Sequence, residues 1–212
     1  MSHPDLPVFP LNSPLLPGCQ MPLQIFEKRY LDMVSQCMRT DSGFVVALLR
    51  PGSERHEVIT PDLKAVTHSR PFYATGTEAR IVDFGQRDNG LLAITIAGQQ
   101  RVDLSNIRQE SSGLWMASPT PRPESHDADD HGLQDWAELL EQLLGFHGLQ
   151  AMRSGVDMDS SEQVMNYLIM LLPLPAAVKQ ELLETDSHRT RWERLANVVA
   201  LLAAPETQQP NQ

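Results

Sequence analysis

Residues 22–33, PLQIFEKRYLDM, set an apolar run led by proline directly against a charged triplet, Glu27-Lys28-Arg29, and follow it with a second apolar stripe. Two registers compete for this stretch. In a helix running through residues 24–40, Glu27 and Arg29 would sit about 200° apart around the axis and could not share a site. In the second register PLQI is extended, Glu27 is the N-cap and the helix begins at Lys28. Phe26 then stands in staple position against Leu31, while Tyr30, Met33, Val34, Cys37 and Met38 line one face. This register accounts for more residues. Glu27 is not a favoured cap, but a carboxylate at a helix N-terminus gains about 0.3–1 kcal/mol from the helix dipole. The triplet therefore reads as a strand-to-helix seam, with Arg29 best placed of the three to reach a carboxylate or carbonyl elsewhere.

Downstream of the seam, residues 43–117 read as β-rich. GFVVALLR is a short apolar run, TEARIVDF alternates, and LLAITIAG follows the turn signal RDNG at 87–90. Asn89-Gly90 between two such runs predicts an antiparallel hairpin, because glycine accepts positive φ without a Cβ clash. Gly98 inside the second run marks a bulge, after which Val102 and Leu104 share a face. SPTPRPESHDADDH, residues 118–131, carries three prolines and a dense acidic and histidine run with no structural period, and reads as a linker.

Beyond it the apolar period lengthens to a helical one. Leu133, Trp136, Leu139 or Leu140, Leu143 and Leu144 form one stripe, and Val164, Leu168 and Leu171 another. Ser160 and Gln163 resemble a capping box opening the second helix, and Pro173 closes it. Pro175 suits the first turn of a third helix through Glu184. Asp186 is the expected N-cap of the last, with Trp192, Leu195, Val199 and Leu202 facing inward.

A chain of 212 residues buries about 70% of its unfolded surface and needs no staples. Cys19 and Cys37 have no CxxC spacing or companion ligands, so they read as reduced core residues in a cytoplasmic protein. Residues 1–18 are interrupted by five prolines and lack a basic leader, which argues against a secretory signal. The apolar runs YLIMLLPLPAAV and LANVVALLAAP stop short of the roughly 20 residues a bilayer span needs. The net charge of −10 is uneven: residues 1–118 hold 12 acids and 11 bases, and residues 119–212 hold 15 acids and 6 bases. With no clustered Lys and Arg, nucleic acid is an unfavoured partner.

Three segments, LPVFPLN, LPGCQMPLQIFEKRYLDM and PLPAAVKQELLETDSHRTRWERL, together resemble the N-terminal, substrate-binding domain of Lon ATP-dependent proteases, in the stand-alone bacterial form; the same domain type occurs in cereblon. Members often carry proline where this chain has Lys28, which agrees with a first helical position there. The resemblance implies an α+β fold: a PUA-like β pseudobarrel with one helix, followed by a C-terminal helical bundle of about four helices. The divisions expected are a β domain over 1–118, a linker over 119–131, a helical subdomain over 132–205 and a disordered tail over 206–212.

The sequence holds no GxxxxGK[ST] loop and no Gly-Lys pair. Its three lysines, Lys28, Lys64 and Lys179, stand outside anything like the Lon peptidase site. The reading is therefore non-enzymatic, with no catalytic residues, metal or cofactor. HDADDH at 126–131 supplies potential ligands without a rigid frame, and DMDSSE at 157–162 lacks the glycine and distal Glu of a calcium loop. His56, His68, His147 and His188 show no metal-protease spacing, and no serine lies in a GxSxG elbow. The expected function is binding of unfolded or exposed polypeptide, with a separate protease or chaperone as a further partner. Phe9, Leu16, Phe26, Glu27, Arg29 and Tyr30 are the candidate contacts. A small-ligand or enzymatic pocket between the β domain and the helices is the alternative, and PUA-like RNA binding ranks third.

Overall fold

The seam adopts the second register. The structure, a computed structural model, describes residues 4–52, 70–87, 90–125, 132–146 and 149–203. In it β2 (Gln20–Ile25) ends just before Phe26, and α1 (Lys28–Thr40) starts after Glu27, whose backbone is extended at φ −77° and ψ 132°. The N–H groups of Tyr30 and Leu31 both donate to the Glu27 carbonyl at 3.0 Å, while its carboxylate makes no cap bond. Tyr30, Met33, Val34 and Cys37 are buried as the stripe predicts. Met38, expected with them, is exposed.

The remaining strands are β1 (Leu6–Leu11), β3 (Phe44–Leu49), β4 (Phe72–Gln86), β5 (Leu92–Gln109) and β6 (Trp115–Pro121). With β2 they make one six-stranded sheet in the order β2-β5-β4-β3-β1-β6, parallel between β1 and β3 and antiparallel elsewhere. The hairpin predicted around Asn89-Gly90 joins β4 to β5. Arg87 N–H donates to the Leu91 carbonyl and Gly90 takes φ +80°, whereas Asp88 and Asn89 lie outside the described residues.

Long β5 organises the sheet. Its first half pairs with β2, its second half with β6, and its other side with β4. The register of β4 on β5 shifts between Thr77 and Ala79, opposite Arg101 and Gly98, so the bulge falls where the sequence marks it. Only glycine fits at 98. Gly98 exchanges backbone hydrogen bonds with Gly18 and Cys19, and a Cβ there would lie 2.3 Å from the Leu16 carbonyl oxygen.

β3 is buried on both faces, which explains why it reads as an unbroken apolar run rather than an alternating one. Val8, Val45, Ala47, Phe72, Val102, Leu104 and Ala117 pack into one small cluster, with Trp115 edge-on to Phe72. The opposite-facing Phe9, Phe44, Val46, Ala79, Ile94 and Ile96 enter the main core together with α1 and the later helices.

These later elements are α2 (Leu133–Leu144), a 3-10 helix (Gln150–Gly155), α3 (Ser161–Leu171), α4 (Ala176–Glu184) and α5 (His188–Ala203). Ser160 caps α3 by accepting the Gln163 N–H at 3.3 Å, and Gln163 turns its own side chain to the Asp157 N–H. Asp157 in turn accepts the Asp159 N–H, so this acidic stretch builds the start of a helix and not a cation loop. Val164 through Met170 are buried all round, because α3 lies between sheet and outer helices. On α5, Trp192 and Leu195 are buried as expected, whereas Leu202 near its end is exposed.

The architecture corrects the sequence expectation of a pseudobarrel with an appended bundle. The six strands form one mixed sheet in which β5, β4, β3, β1 and β6 return on themselves through the β5–β6 pairing. Among the described residues β2 pairs with β5 alone and stays outside that ring, so the set as a whole is not the closed pseudobarrel expected. Among the described residues the helices number five α and one 3-10. Their apolar faces join the same core as β1 to β5, so they do not form a bundle of their own. Residues 119–121, expected in a linker, complete β6, and Ser125 bridges to Ser187 ahead of α5. The tail expected over 206–212 lies outside the described residues.

Candidate functional site

Three of the six residues singled out from sequence are core. Leu16 is fully buried, and Phe9 packs against Tyr30 with ring centroids 4.3 Å apart and the planes tilted by 42°, both buried. The others gather at the seam. Arg29 donates Nε to Glu27 Oε2 at 2.9 Å and Nη1 to the Gly113 carbonyl at 3.1 Å, with its guanidinium 4.7 Å from the Tyr30 ring centre. Glu27 and Arg29 do meet, because Glu27 precedes the helix and its side chain is not bound by helical spacing. Together they tie the start of α1 to the β5–β6 turn, a positioning role. Phe26 beside them is 69% exposed.

Phe26 does not stand alone. Ile25 pairs with Leu92, and Leu92 pairs with Gln86, so the end of β2, the start of β5 and the end of β4 form a three-stranded ribbon. β3 pairs with β4 only as far as Ala79, which leaves residues 80–86 without a strand on their outer side among the described residues. Here Val82 is 52% and Phe84 61% exposed. Phe84 pairs with Ile94, itself paired with Leu23, so by register it continues the core face past the point where the core ends. Across two strand spacings of about 4.8 Å, this puts an aromatic group on each flank of the ribbon. Sequence reading missed Val82 and Phe84. The available signal was the adjacent pair Ile81-Val82, which breaks the two-residue period where the register shifts between Ile81 and Asp83.

A second cluster, also absent from the sequence reading, is ionic. Arg101, 1% exposed, lies 2.6 Å from Glu124 Oε1 through Nε and donates to the carbonyls of Leu183, Thr185 and Pro123. Buried Arg191 donates to the same Glu124 oxygen and to the Thr185 carbonyl, both at 2.7 Å. Arg122 clasps Asp186 through Nε and Nη2 and reaches the Glu184 carbonyl and the Asp103 carboxylate. Burial works to raise the Glu124 carboxyl, but Arg191 and Arg101 outweigh it and the net direction is down. The Arg122 hydrogen bonds hold Asp186 low as well. Asp186, the cap expected for α5, does not cap it. Ser187 does so, accepting the Thr190 N–H, because the Asp186 carboxylate is committed to Arg122.

These guanidiniums collect the carbonyls at the end of α4 and fasten α4 and α5 to β5, which is structural work. The adjoining cleft of about 370 Å³ is shallow and lined by Glu181, Glu184, Thr185, Asp186 and Arg194. Among the described residues no group of three His, Cys, Asp or Glu is arranged to hold a metal ion. His188 packs edge-on to Trp192, while His56, His68, His147 and the 126–131 run lie outside the described residues.

Residues 5–200 match the family described as the ATP-dependent protease La (LON) substrate-binding domain. The chain belongs to this Lon substrate-binding domain family. A crystallised Lon N-terminal domain protein from Xanthomonas campestris is 31% identical, with a TM-score of 0.66 over 93% of this chain and 98% of that one. The N-terminal domain of a Mycobacterium avium complex Lon protease, at 17% identity and a TM-score of 0.56, shares the fold over 93% of this chain and 97% of its own. Curated relatives include the Lon proteases of Brevibacillus choshinensis, 21% identical over 92% of this chain, and Methanosarcina barkeri, 27% identical over 57%. This Lon-type domain spans only a part of each, 24% of the first and 16% of the second. The match is thus to the non-catalytic, substrate-binding region of Lon. No helix among the described residues is long and apolar enough to cross a membrane.

Proposed function

We propose that the protein is a polypeptide-binding module that holds exposed or unfolded segments at the ribbon end formed by β2, β4 and β5. The observation that carries this reading is the exposure of Phe26, Val82 and Phe84 at one end of a sheet whose other large apolar side chains are covered among the described residues. Exposed aromatic groups near an open backbone edge suit extended chains with little sequence demand. Family membership supports the same class of ligand. The Arg101, Arg122 and Arg191 cluster faces the chain's own carbonyls and carboxylates, so it gives little support to phosphate binding. Free, buried Cys19 and Cys37 suit a reducing, cytoplasmic setting, and a Lon-type protease or a chaperone is the machinery such a module would serve.

The test is a fluorescence anisotropy titration with reduced, carboxymethylated α-lactalbumin, which stays unfolded, against the native disulfide-bonded form. Saturable binding of the unfolded form alone is expected. A Phe26→Ser, Phe84→Ser double variant should bind at least about tenfold more weakly, equivalent to ~1.4 kcal/mol. Equal affinity for the two forms, or none for either, overturns the proposal.

A further inference from the structure

Among the described residues two stretches of the sheet, β2 and the end of β4, have no strand on their outer side, and hydrogen-bond direction separates them. On β2 the Gln20 N–H donates to the Tyr167 hydroxyl at 2.9 Å, so Gln20, Pro22 and Gln24 turn their backbone groups away from β5. That edge is blunted. Its first N–H is taken by α3, and its second position is a proline, which has none to give. β4 differs. Arg87 N–H donates inward to Leu91, and the regular pairing of residues 83–86 with β5 makes Asp83 and Gly85 face inward too. Phe84 and Gln86 therefore present N–H and C=O groups outward. Among the described residues the Phe84 N–H donates to the carboxylate of its neighbour Asp83 at 2.9 Å, a local acceptor that an incoming carbonyl can replace.

We infer that the bound polypeptide is held by strand addition to the outer edge of β4 over residues 82–86, with the Asp83 side chain as a displaceable guard. This rests on the polypeptide-binding reading and specifies its mode. Backbone groups at Phe84 and Gln86 supply sequence-independent hydrogen bonds, and exposed Val82 and Phe84 supply apolar contact. The occupant is an extended segment of another protein and not a second copy of this chain. Two copies would each bring a net charge of −10, and so short an edge buries far less than the roughly 1,200–2,000 Å² of a stable interface. The same charge favours neutral or basic segments.

The experiment uses a fluorescein-labelled ten-residue peptide alternating valine with threonine and lysine, and two versions carrying backbone N-methyl groups at odd or at even positions. Strand addition predicts that one methylated version loses at least tenfold in affinity while the other keeps it, since only one set of N–H groups faces β4. Gln86→Pro, which removes an outward N–H and spares the β5 ladder, should weaken the parent peptide severalfold with an unchanged far-UV spectrum. Asp83→Ala should strengthen it. Equal binding of all three peptides overturns strand addition while leaving polypeptide binding intact, and no binding of the parent peptide overturns both. A concentration-dependent dimer in sedimentation, abolished by Gln86→Pro, would assign the edge to a second copy and overturn the inference.

Discussion

At Glu124 one carboxylate answers two guanidiniums, Arg101 and Arg191, that are out of contact with solvent. Removing Glu124 leaves buried Arg191 without its carboxylate, while Arg101 keeps Asp186 at 3.2 Å, and a buried charge without its counter-charge is far costlier than a lost surface pair. Glu124→Ala should therefore lower stability by about 3–5 kcal/mol in urea unfolding. The half-exposed Arg108–Asp5 pair provides the contrast: Arg108→Ala should move the urea midpoint far less. Equal effects would show that the cluster is solvated in practice. Nothing in the sequence marks Glu124, because its partners are distant in the chain, Arg191 by 67 residues, and no local spacing couples them. The seam is more legible. Sequence settles the backbone register at residues 27–29, whereas the Glu27–Arg29 contact depends on Glu27 standing outside the helix.

Among the elements, β5 and α3 show how differently local signals carry. The capping signal at Ser160 is short-range, so it is readable and has a measurable value: Ser160→Ala should cost about 1 kcal/mol, seen as a lower urea midpoint with an unchanged slope. Gly98 is readable as a bulge, but not the reason for it, which is the close approach of the Leu16 carbonyl from a distant segment. Gly98→Ala should cost about 1–3 kcal/mol by forcing that backbone apart, and a cost near zero would mean that the 16–19 turn moves freely. The exposed ribbon end is the least legible element. Val82 and Phe84 sit in a run whose composition is that of any strand, and their exposure follows from where β3 stops pairing with β4, a fact of tertiary arrangement.

For the whole molecule, the sheet and the helices share one apolar core, and the ionic cluster joins the same two parts at a second place. Sequence reading separates them because the acidic, proline-rich run at 118–131 interrupts the apolar pattern, and patterning along the chain cannot report packing across it. Loss of the cluster should therefore destabilise the molecule as one unit. Glu124 and Asp186 both have carboxyl groups held below their ordinary range, so the folded state binds fewer protons than the unfolded chain. Their contribution is complete well above the unfolded carboxylate values of about 3.9–4.3 and is lost as pH falls below them toward the folded values. Arg101, lowered chiefly by burial, remains charged throughout that window and does not offset the loss. Urea unfolding followed between pH 7 and pH 3 should show stability flat at first and then falling below about pH 4.3. Trp115 reports the small cluster, and Trp136 and Trp192, 5.4 Å apart, report the helices, so single-tryptophan variants should unfold at the same midpoint at each pH. Separate midpoints, or an acid limb that persists unchanged in Glu124→Gln, would mean that the cluster does not couple the two parts.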